Sequence, residues 1–388
     1  YEILRCAQND IFELENGITN RRIIMQYEEL DKHRIKEIRK TVVRNRYTRT
    51  IGRNARIRHH GDGPDSSVRI IITDQDAIGW GLSRTPDEKM PDLIGQKISD
   101  LFDPEIGVIA EEAMPIDFAL HDLAGVILEM PVYKMIGGKG TTAVPSYDGA
   151  IYMDDLTPEE SPRGVNAVIQ SCRDDYNMGY RDFKIKIGRG LQWMDLAKGI
   201  QRDIDVVRAV HYNFPNCRIL VDANDGYTCE DMIRFMDAVA ECNIFWIEEP
   251  FRERREDLIK LNLFLAKRSP ETLIADGEGG WNIDFLLDVS KDKLIDVLQM
   301  DVAGYGFTQW RKIMPELIDA GVLASPHTWG DPLKVIYTAH LSAGLGNIPI
   351  IEGIPSRTYD ADLMLYKLED GVLYIPEDSP GFGMRINV

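Results

Sequence analysis

The chain has 388 residues, 44% hydrophobic and 28% charged, with a formal net charge of −18. That length exceeds one ordinary small core and predicts two domains, or a large barrel with an accessory domain. The composition is that of a soluble globular protein, no run of about 18 apolar residues offers a membrane span, and the acidic balance argues against nucleic-acid binding by the whole chain. The start, YEILRCAQNDIFEL, lacks a basic stretch followed by an apolar one, so no secretory signal is expected. Five scattered cysteines (Cys6, Cys172, Cys217, Cys229, Cys242) form no CxxC pair and predict reduced thiols in a cytoplasmic protein.

In chain order, the first segment with a pattern is YEELDKHRIKEIRKTVV, read as a basic helix within residues 20–56. Lys32 to Arg58 carries eleven Lys/Arg against one acid, Glu37. This run against the acidic trend suits either a solvated helix with an oligomer contact or a basic lid over an anionic ligand. No RNA-reading motif accompanies it. On the lid reading Arg53 and Arg56 are candidate substrate contacts, though they and His59 and His60 equally suit salt bridges within a lid. SVRIIITDQDAIGWGLS (67–83) predicts a hairpin, and MPDLIGQKISDLF and PIDFALHDLAGVILEM predict helices. These elements compose an α+β domain over residues 1–130, completed by the C-terminal segment 360–388.

Beyond it the pattern changes. VPSYDGAIY, FKIKIG, RILVDAN, IFWIEEP, TLIADGE, DVLQMDV, GVLASPH and IPIIEG are eight short apolar runs between residues 144 and 353, separated by amphipathic stretches. Alternating strands and helices imply parallel βα units, and eight of them suit a closed (β/α)8-type barrel over 140–356 better than an open sheet. No phosphate-cradling GxGxxG or Walker loop opens a helix, and GGKG (137–140) reads as a turn.

Each of these runs carries polar residues near its C-terminal end, where barrel enzymes assemble their sites. Side chains two apart share a face of a strand. Lys184 thus faces with Lys186, Asp222 with Asn224, Asp276 with Glu278, Gln299 with Asp301, and Ser325 with His327. Singly, each has a plain explanation, since a strand-end Asp caps the following helix more often than it binds a metal. Together they differ. Asp222, Glu248 and Glu278 end successive strands about 4.8 Å apart, and three convergent carboxylates need a cation. Oxygen ligands alone suit Mg2+ and admit Mn2+. Lys184 and Lys186 then stand on one side of the metal, Asp301 and His327 on the other, and Glu352 ends the eighth strand. Such a site suits removal of the weakly acidic proton α to a carboxylate. A metal stabilises the enediolate, and Lys186 is the base, its pKa lowered by Lys184 and the cation.

The ordered motifs KIK, VDAN, WIEEP, DGE, QMD, SPHTWG and IEG resemble the enolase superfamily, mandelate racemase subgroup, over residues 67–356. The resemblance implies a modified (β/α)7β barrel with an N-terminal α+β capping domain. It implies metal ligands Asp222, Glu248 and Glu278, base Lys186 with partner Lys184, an Asp301–His327 dyad, and Glu352 as a hydrogen-bonding electrophile on the substrate carboxylate. Asn224 fits either as a support behind the metal ligands or as a substrate contact, and Trp329 as a substrate contact. The expected activity is magnesium-dependent dehydration of a sugar acid, an aldonate or aldarate, to a 2-keto-3-deoxy acid. The alternatives are a racemase or epimerase using Lys186 and His327 as opposed bases and, remotely, a non-catalytic binding protein. Cycloisomerase chemistry usually places a lysine where the dyad sits here. A small-molecule sugar acid is the expected partner, without nucleic acid or membrane, in a homo-oligomer (dimer or octamer). One departure is the basic segment, where family members usually have a short loop between two strands.

Overall fold

The structure, a computed structural model, describes residues 28–280, 282–363 and 365–387. Two compact units divide it. One takes Ser67–Ile136, Asp378–Gly383 and the described residues up to Thr41. The other takes Val42–Ser66, Gly137–Glu377 and the chain from Met384. Residues 42–66 therefore group with the barrel, and of the 360–388 tail only Asp378–Gly383 groups with the first unit.

In the first unit, β2 (Asp65–Thr73) and β3 (Ile78–Leu82) form the expected antiparallel hairpin, with Ile70 opposite Trp80. A helix, α1 (Asp117–Ile127), lies directly on the backbone of β3. Gly79 and Gly81, two apart on one face, make that approach: a Cβ at Gly79 would fall 2.4 Å from the Leu123 backbone, and one at Gly81 2.6 Å from the Phe118 side chain. Asp122 on α1 accepts N–H bonds from Trp80 (2.9 Å) and from Phe382 of the C-terminal segment (2.7 Å).

Two helix expectations fail here. Of YEELDKHRIKEIRKTVV, the described part is helical only as far as Asp31, and Ile35–Tyr47 is a 13-residue strand, β1. The residues of that expectation before 28 lie outside the described ones. The β-branched Ile35, Ile38, Thr41, Val42 and Val43 favour an extended chain, and burial alternates from Val43 through exposed Arg44 to Asn45. Within MPDLIGQKISDLF only Ile98–Leu101 is helical, because Pro91 lacks a donor and Gly95 adopts a left-handed φ of +82°.

The second unit holds the barrel. Its eight strands are β4 (Ala143–Ile151), β5 (Phe183–Lys186), β6 (Ile219–Asp222), β7 (Trp246–Glu248), β8 (Leu273–Asp276), β9 (Val297–Leu298), β10 (Leu323–Ala324) and β11 (Ile351–Gly353). Among the described residues seven longer helices connect them, α2 (Val165–Asn177), α3 (Leu196–Asn213), α4 (Cys229–Ala238), α5 (Arg255–Arg268), α6 (Ile283–Lys291), α7 (Phe307–Ala320) and α8 (Pro332–Leu345), and a single turn of helix, Val302–Tyr305, precedes α7. Strands β4 to β10 pair in parallel and in sequence order, and β11 pairs with β4. Between β10 and β11 closure runs through Ala324 N–H to Asn347 O (3.1 Å) and Ser325 Oγ to Ile350 O (2.8 Å). This is a (β/α)7β barrel. Tyr147, Leu220, Trp246, Ala275, Val297 and Ile350 fill one inward layer.

Residues 42–66 join this unit through strand pairing and charge. Asn45 to Tyr47 of β1 pair antiparallel with β12 (Ser356–Thr358), and Arg49 forms a 2.6 Å ion pair with buried Asp175. The tail contributes a hairpin, β13 (Lys367–Glu369) and β14 (Val372–Tyr374), whose second strand pairs with the start of β4. Cys172, Cys217, Cys229 and Cys242 are free. No described helix is long and apolar enough to cross a membrane.

The loop after β5 is held by a buried charge cluster. The fully buried Arg189 guanidinium pairs with Asp155 and Asp203, each at 2.6 Å, and donates to the Lys186 carbonyl (3.0 Å). Arg189→Met leaves buried Asp203 without its cation and Asp155 with only Arg202 (3.1 Å), which costs about 3–5 kcal/mol. Urea denaturation checks this, and a loss under about 1 kcal/mol would mean that the cluster does not hold the loop.

Candidate active site

Strand register builds the site. Lys186 lies opposite Asp222 and Asp222 opposite Glu248, so the last residues of β5, β6 and β7 form one row across the barrel. Two positions earlier, Leu220 and Trp246 form the apolar layer beneath it. Glu278 stands two residues beyond the end of β8. Asp222, Glu248 and Glu278 each direct one oxygen to a common point, with those atoms all within 4.8 Å of one another.

Lys184 and Lys186 do share a face, and both are buried. Lys184 lies deepest, 2.5 Å from Glu248, 2.7 Å from Glu352 and 3.6 Å from Asp222. Burial works against its charge, but these carboxylates, Glu248 and Glu352 foremost, hold it well above the ordinary lysine pKa. Lys186 pairs with Asp222, and its ammonium lies 5.2 Å from the centroid of the Tyr152 ring. Burial, the largest influence, and Lys184 both lower the Lys186 pKa, but Asp222, Glu278 and Glu248 together raise it by more. This differs from the lowered pKa expected from the sequence, because the Asp222 carboxylate lies against the amine.

Across the trio from Lys186 stands His327. Its Nε2 lies 3.3 Å from Glu278 and 3.8 Å from Glu352, and its Nδ1 lies 3.1 Å from Asp301 Oδ2. A parallel bridge pairs the two residues' backbones, which sets the side-chain contact. Burial lowers the His327 pKa, but Glu278, Glu352 and Asp301 together raise it. Glu352 Oε2 accepts N–H bonds from Thr328 (2.9 Å) and Trp329 (2.8 Å). Burial opposes its ionisation, yet Lys184 and His327 hold its carboxyl below the usual range.

The donor set fits a divalent cation. All three convergent groups are carboxylates, and Glu278 Oε2 is buried with no hydrogen-bond partner. Burial pushes the Glu248 carboxyl up to about 7 despite Lys184, with Asp222 and Glu352 adding to the rise. Asp222, Glu248, Glu278, Glu352 and Asp301 face the ammonium groups of Lys184, Lys186 and Lys334, an excess of two negative charges when all five carboxylates are ionised and histidine is neutral.

Other expected residues are placed differently. Asn224 donates its backbone N–H to Asp222 (2.9 Å), while its side-chain amide turns to Glu249 (3.1 Å). The Trp329 ring packs against Tyr152 and stacks on Tyr47, with centroids 5.0 and 5.3 Å away. Arg56 donates to the Asn224 carbonyl (2.5 Å) and the Asp225 carbonyl (2.9 Å), so it ties the loop around residue 56 to the turn after β6. Arg53 pairs with Glu159 and lies over the Trp193 ring, beside a cavity of about 450 Å³ that Arg58 and Arg202 also line. Both arginines follow the salt-bridge reading of the basic segment. Gln299 donates to Glu248 (2.9 Å), Ser325 serves barrel closure, and Asp276 accepts from Gly277 N–H.

Two contributors, Tyr152 and Lys334, were not singled out from the sequence, and a third, His60, was named only as a lid residue. His60 binds the Gly52 carbonyl through Nδ1 (2.7 Å) and packs edge-on to Tyr152, 4.6 Å between centroids. Tyr152 itself lies beneath Lys186. Lys334, two residues into α8, reaches Asp301 Oδ2 at 2.5 Å. Its signal was present: DPLK sets Asp331 as helix cap and Pro332 first in the helix, which puts a cation in the first turn of an otherwise apolar helix.

The family model for enolase C-terminal domain-like proteins matches residues 167–388. The chain is 27% identical over 286 residues to D-galactarolactone cycloisomerase of Agrobacterium fabrum (strain C58), covering 70% of each. Its fold is similar to galacturonate dehydratase from Geobacillus sp., solved with D-galacturonate and 5-keto-4-deoxy-D-galacturonate: TM-score 0.86, 29% identity, 92% of this chain and 95% of that one. It is also similar to a mandelate racemase/muconate lactonizing protein from Geobacillus sp. Y412MC10, solved with magnesium/tartrate: TM-score 0.87, 30% identity, 92% and 94% covered. The barrel, the order of its polar strand ends and these matches agree: the chain belongs to the enolase superfamily, in its mandelate racemase subgroup.

Proposed function

We propose that the protein is a magnesium-dependent acid-sugar dehydratase that removes the proton α to a carboxylate and expels the β-hydroxyl as water. The observation that carries this reading is the two-sided site, with Lys186 against Asp222 at one end of the carboxylate trio and the His327–Asp301 pair against Glu278 at the other. A divalent cation held by Asp222, Glu248 and Glu278 would stabilise the negative charge that develops on the substrate carboxylate.

Lys186 takes the α-proton as the neutral amine, after its ammonium, no longer held by Asp222, has released a proton to solvent. Lys184, locked between Glu248 and Glu352, stays charged and supplies fixed positive potential beside the substrate carboxylate. The electron pair released at the α-carbon forms the enediolate, then returns as the bond to the β-hydroxyl breaks. His327 donates the proton with which that hydroxyl leaves as water, and the enol product tautomerises to the keto acid. Glu352 is held ionised by Lys184, so a hydrogen bond from it to the substrate requires it to gain a proton as the substrate's negative charge arrives. Tyr152, Trp329 and His60 wall the side next to Lys186.

A polyhydroxylated monoacid or diacid meets these demands: an aldonate, an aldarate or, as in the structural neighbour's complex, a uronate. Support for dehydration over racemisation comes from that neighbour, a named dehydratase. The same two groups as opposed bases would instead racemise an α-hydroxy acid.

Incubating the protein and Mg2+ with a library of such acids should yield a keto acid detected by semicarbazide. Solvent-deuterium incorporation without keto acid would favour the racemase, and neither signal across the library would sink both. Lys186→Ala and His327→Asn should each lower turnover at least 10³-fold while calorimetry still shows metal binding; full activity in either variant would remove that residue from its role. Chelation with EDTA should abolish turnover and Mg2+ should restore it, whereas Glu278→Gln should weaken Mg2+ binding at least tenfold. An unchanged affinity in that variant would take Glu278 out of the ligand set.

A further inference from the structure

Lys334 is 2% exposed and sits in the first turn of α8, where the helix dipole disfavours a cation. Two acceptors offset that cost. Its ammonium lies 2.5 Å from Asp301 Oδ2 and 2.6 Å from the Trp329 carbonyl. Each acceptor leads to a different side of the site. Asp301 Oδ2 also meets His327 Nδ1 at 3.1 Å, while Oδ1 accepts N–H bonds from Ala303 (3.1 Å) and Gly304 (2.7 Å). Every direction of this carboxylate is therefore committed. Trp329 in turn donates its N–H to Glu352 Oε2 at 2.8 Å, and Glu352 lies 3.8 Å from His327 Nε2.

We propose that Lys334 is a positioning residue for His327: by gripping Asp301 and the Trp329 carbonyl together, it fixes the imidazole with Nδ1 on Asp301 and Nε2 directed at the reacting hydroxyl. An ionised Asp301 only accepts hydrogen bonds, so Nδ1 carries the hydrogen and Nε2 is the atom that exchanges a proton. Lys334 thus acts only on the acid half of the reaction. Proton removal at the α-carbon by Lys186 does not pass through it.

The inference rests on the dehydratase reading, and the test separates the two. Each variant is assayed for two rates on one substrate in D2O: keto-acid formation, and deuterium incorporation into recovered substrate. Lys334→Met keeps the stem and removes the charge. It should lower keto-acid formation at least tenfold while α-deuteration stays within about threefold of the parent. Lys334→Arg keeps the charge on a differently shaped head and should shift the same ratio in the same direction by less, so it carries the test if the Met variant does not fold. A general loss of structure lowers both rates together, and that result in both variants overturns the proposal, as does unchanged keto-acid formation in the Met variant. A parent protein inert in both assays overturns the dehydratase reading itself, an outcome seen before any variant is made.

Discussion

The site depends on one constraint: carboxylates that converge in a buried barrel mouth must be neutralised within the same few ångströms. Asp222 and Glu248 are fully buried, and their convergent oxygens and that of Glu278 lie within 4.8 Å of one another. Removed from water, such charges cost several kcal/mol each unless they are paired. The surrounding barrel supplies what is needed. Lys184 neutralises from below, Lys186 from beside Asp222, and the indole N–H of Trp246 and the amide of Gln299 share Glu248 Oε2 at 3.2 and 2.9 Å. The register that aligns Lys186, Asp222 and Glu248 turns a local sequence feature into a three-dimensional site.

The same constraint divides labour between the two lysines. Lys184 has three carboxylates within 3.6 Å and no exposed surface, which makes it a fixed charge. Lys186 contacts one, Asp222, a carboxylate that a metal would also claim. The second arrangement ties the amine to a single counter-charge, which is what the base role proposed for Lys186 requires. Opposite them, His327 draws its charge balance from three acids and one lysine, and a change in any of these alters its readiness to yield a proton.

What the sequence revealed follows from range. The eight strands and the row of polar ends were legible because period-2 parity and strand-end position are local properties. FKIKIG and LVDAN each disclose which side chains face together without knowledge of the fold. Lys334 was harder to see, since its partner Asp301 lies 33 residues away and the pairing exists only once α8 packs beside the short helix Val302–Tyr305 that follows β9. His60 was weighed only as a lid residue, because its contact with Tyr152 spans two distant segments of the barrel unit. The misread β1 shows the opposite failure. A charge-rich stretch looked helical, and its β-branched residues, together with pairing to Ser356–Thr358 some 310 residues on, made it a strand.

That strand explains where the basic run goes. An extended chain carries its arginines to separate partners rather than concentrating them on one helix face. Arg44 meets Asp360, Arg49 meets Asp175, Arg53 and Arg58 share Glu159, and Arg56 holds the Asn224–Asp225 turn. Among the described residues of the run past Thr41, all arginines but Arg46, which pairs with Asp65 inside the segment, fasten residues 42–66 to the rest of the barrel unit. Because Arg56 grips the turn that follows Asp222, this fastening reaches a metal-ligand candidate through two residues of backbone. Changes of loop sequence there can therefore alter the site without touching a reacting atom.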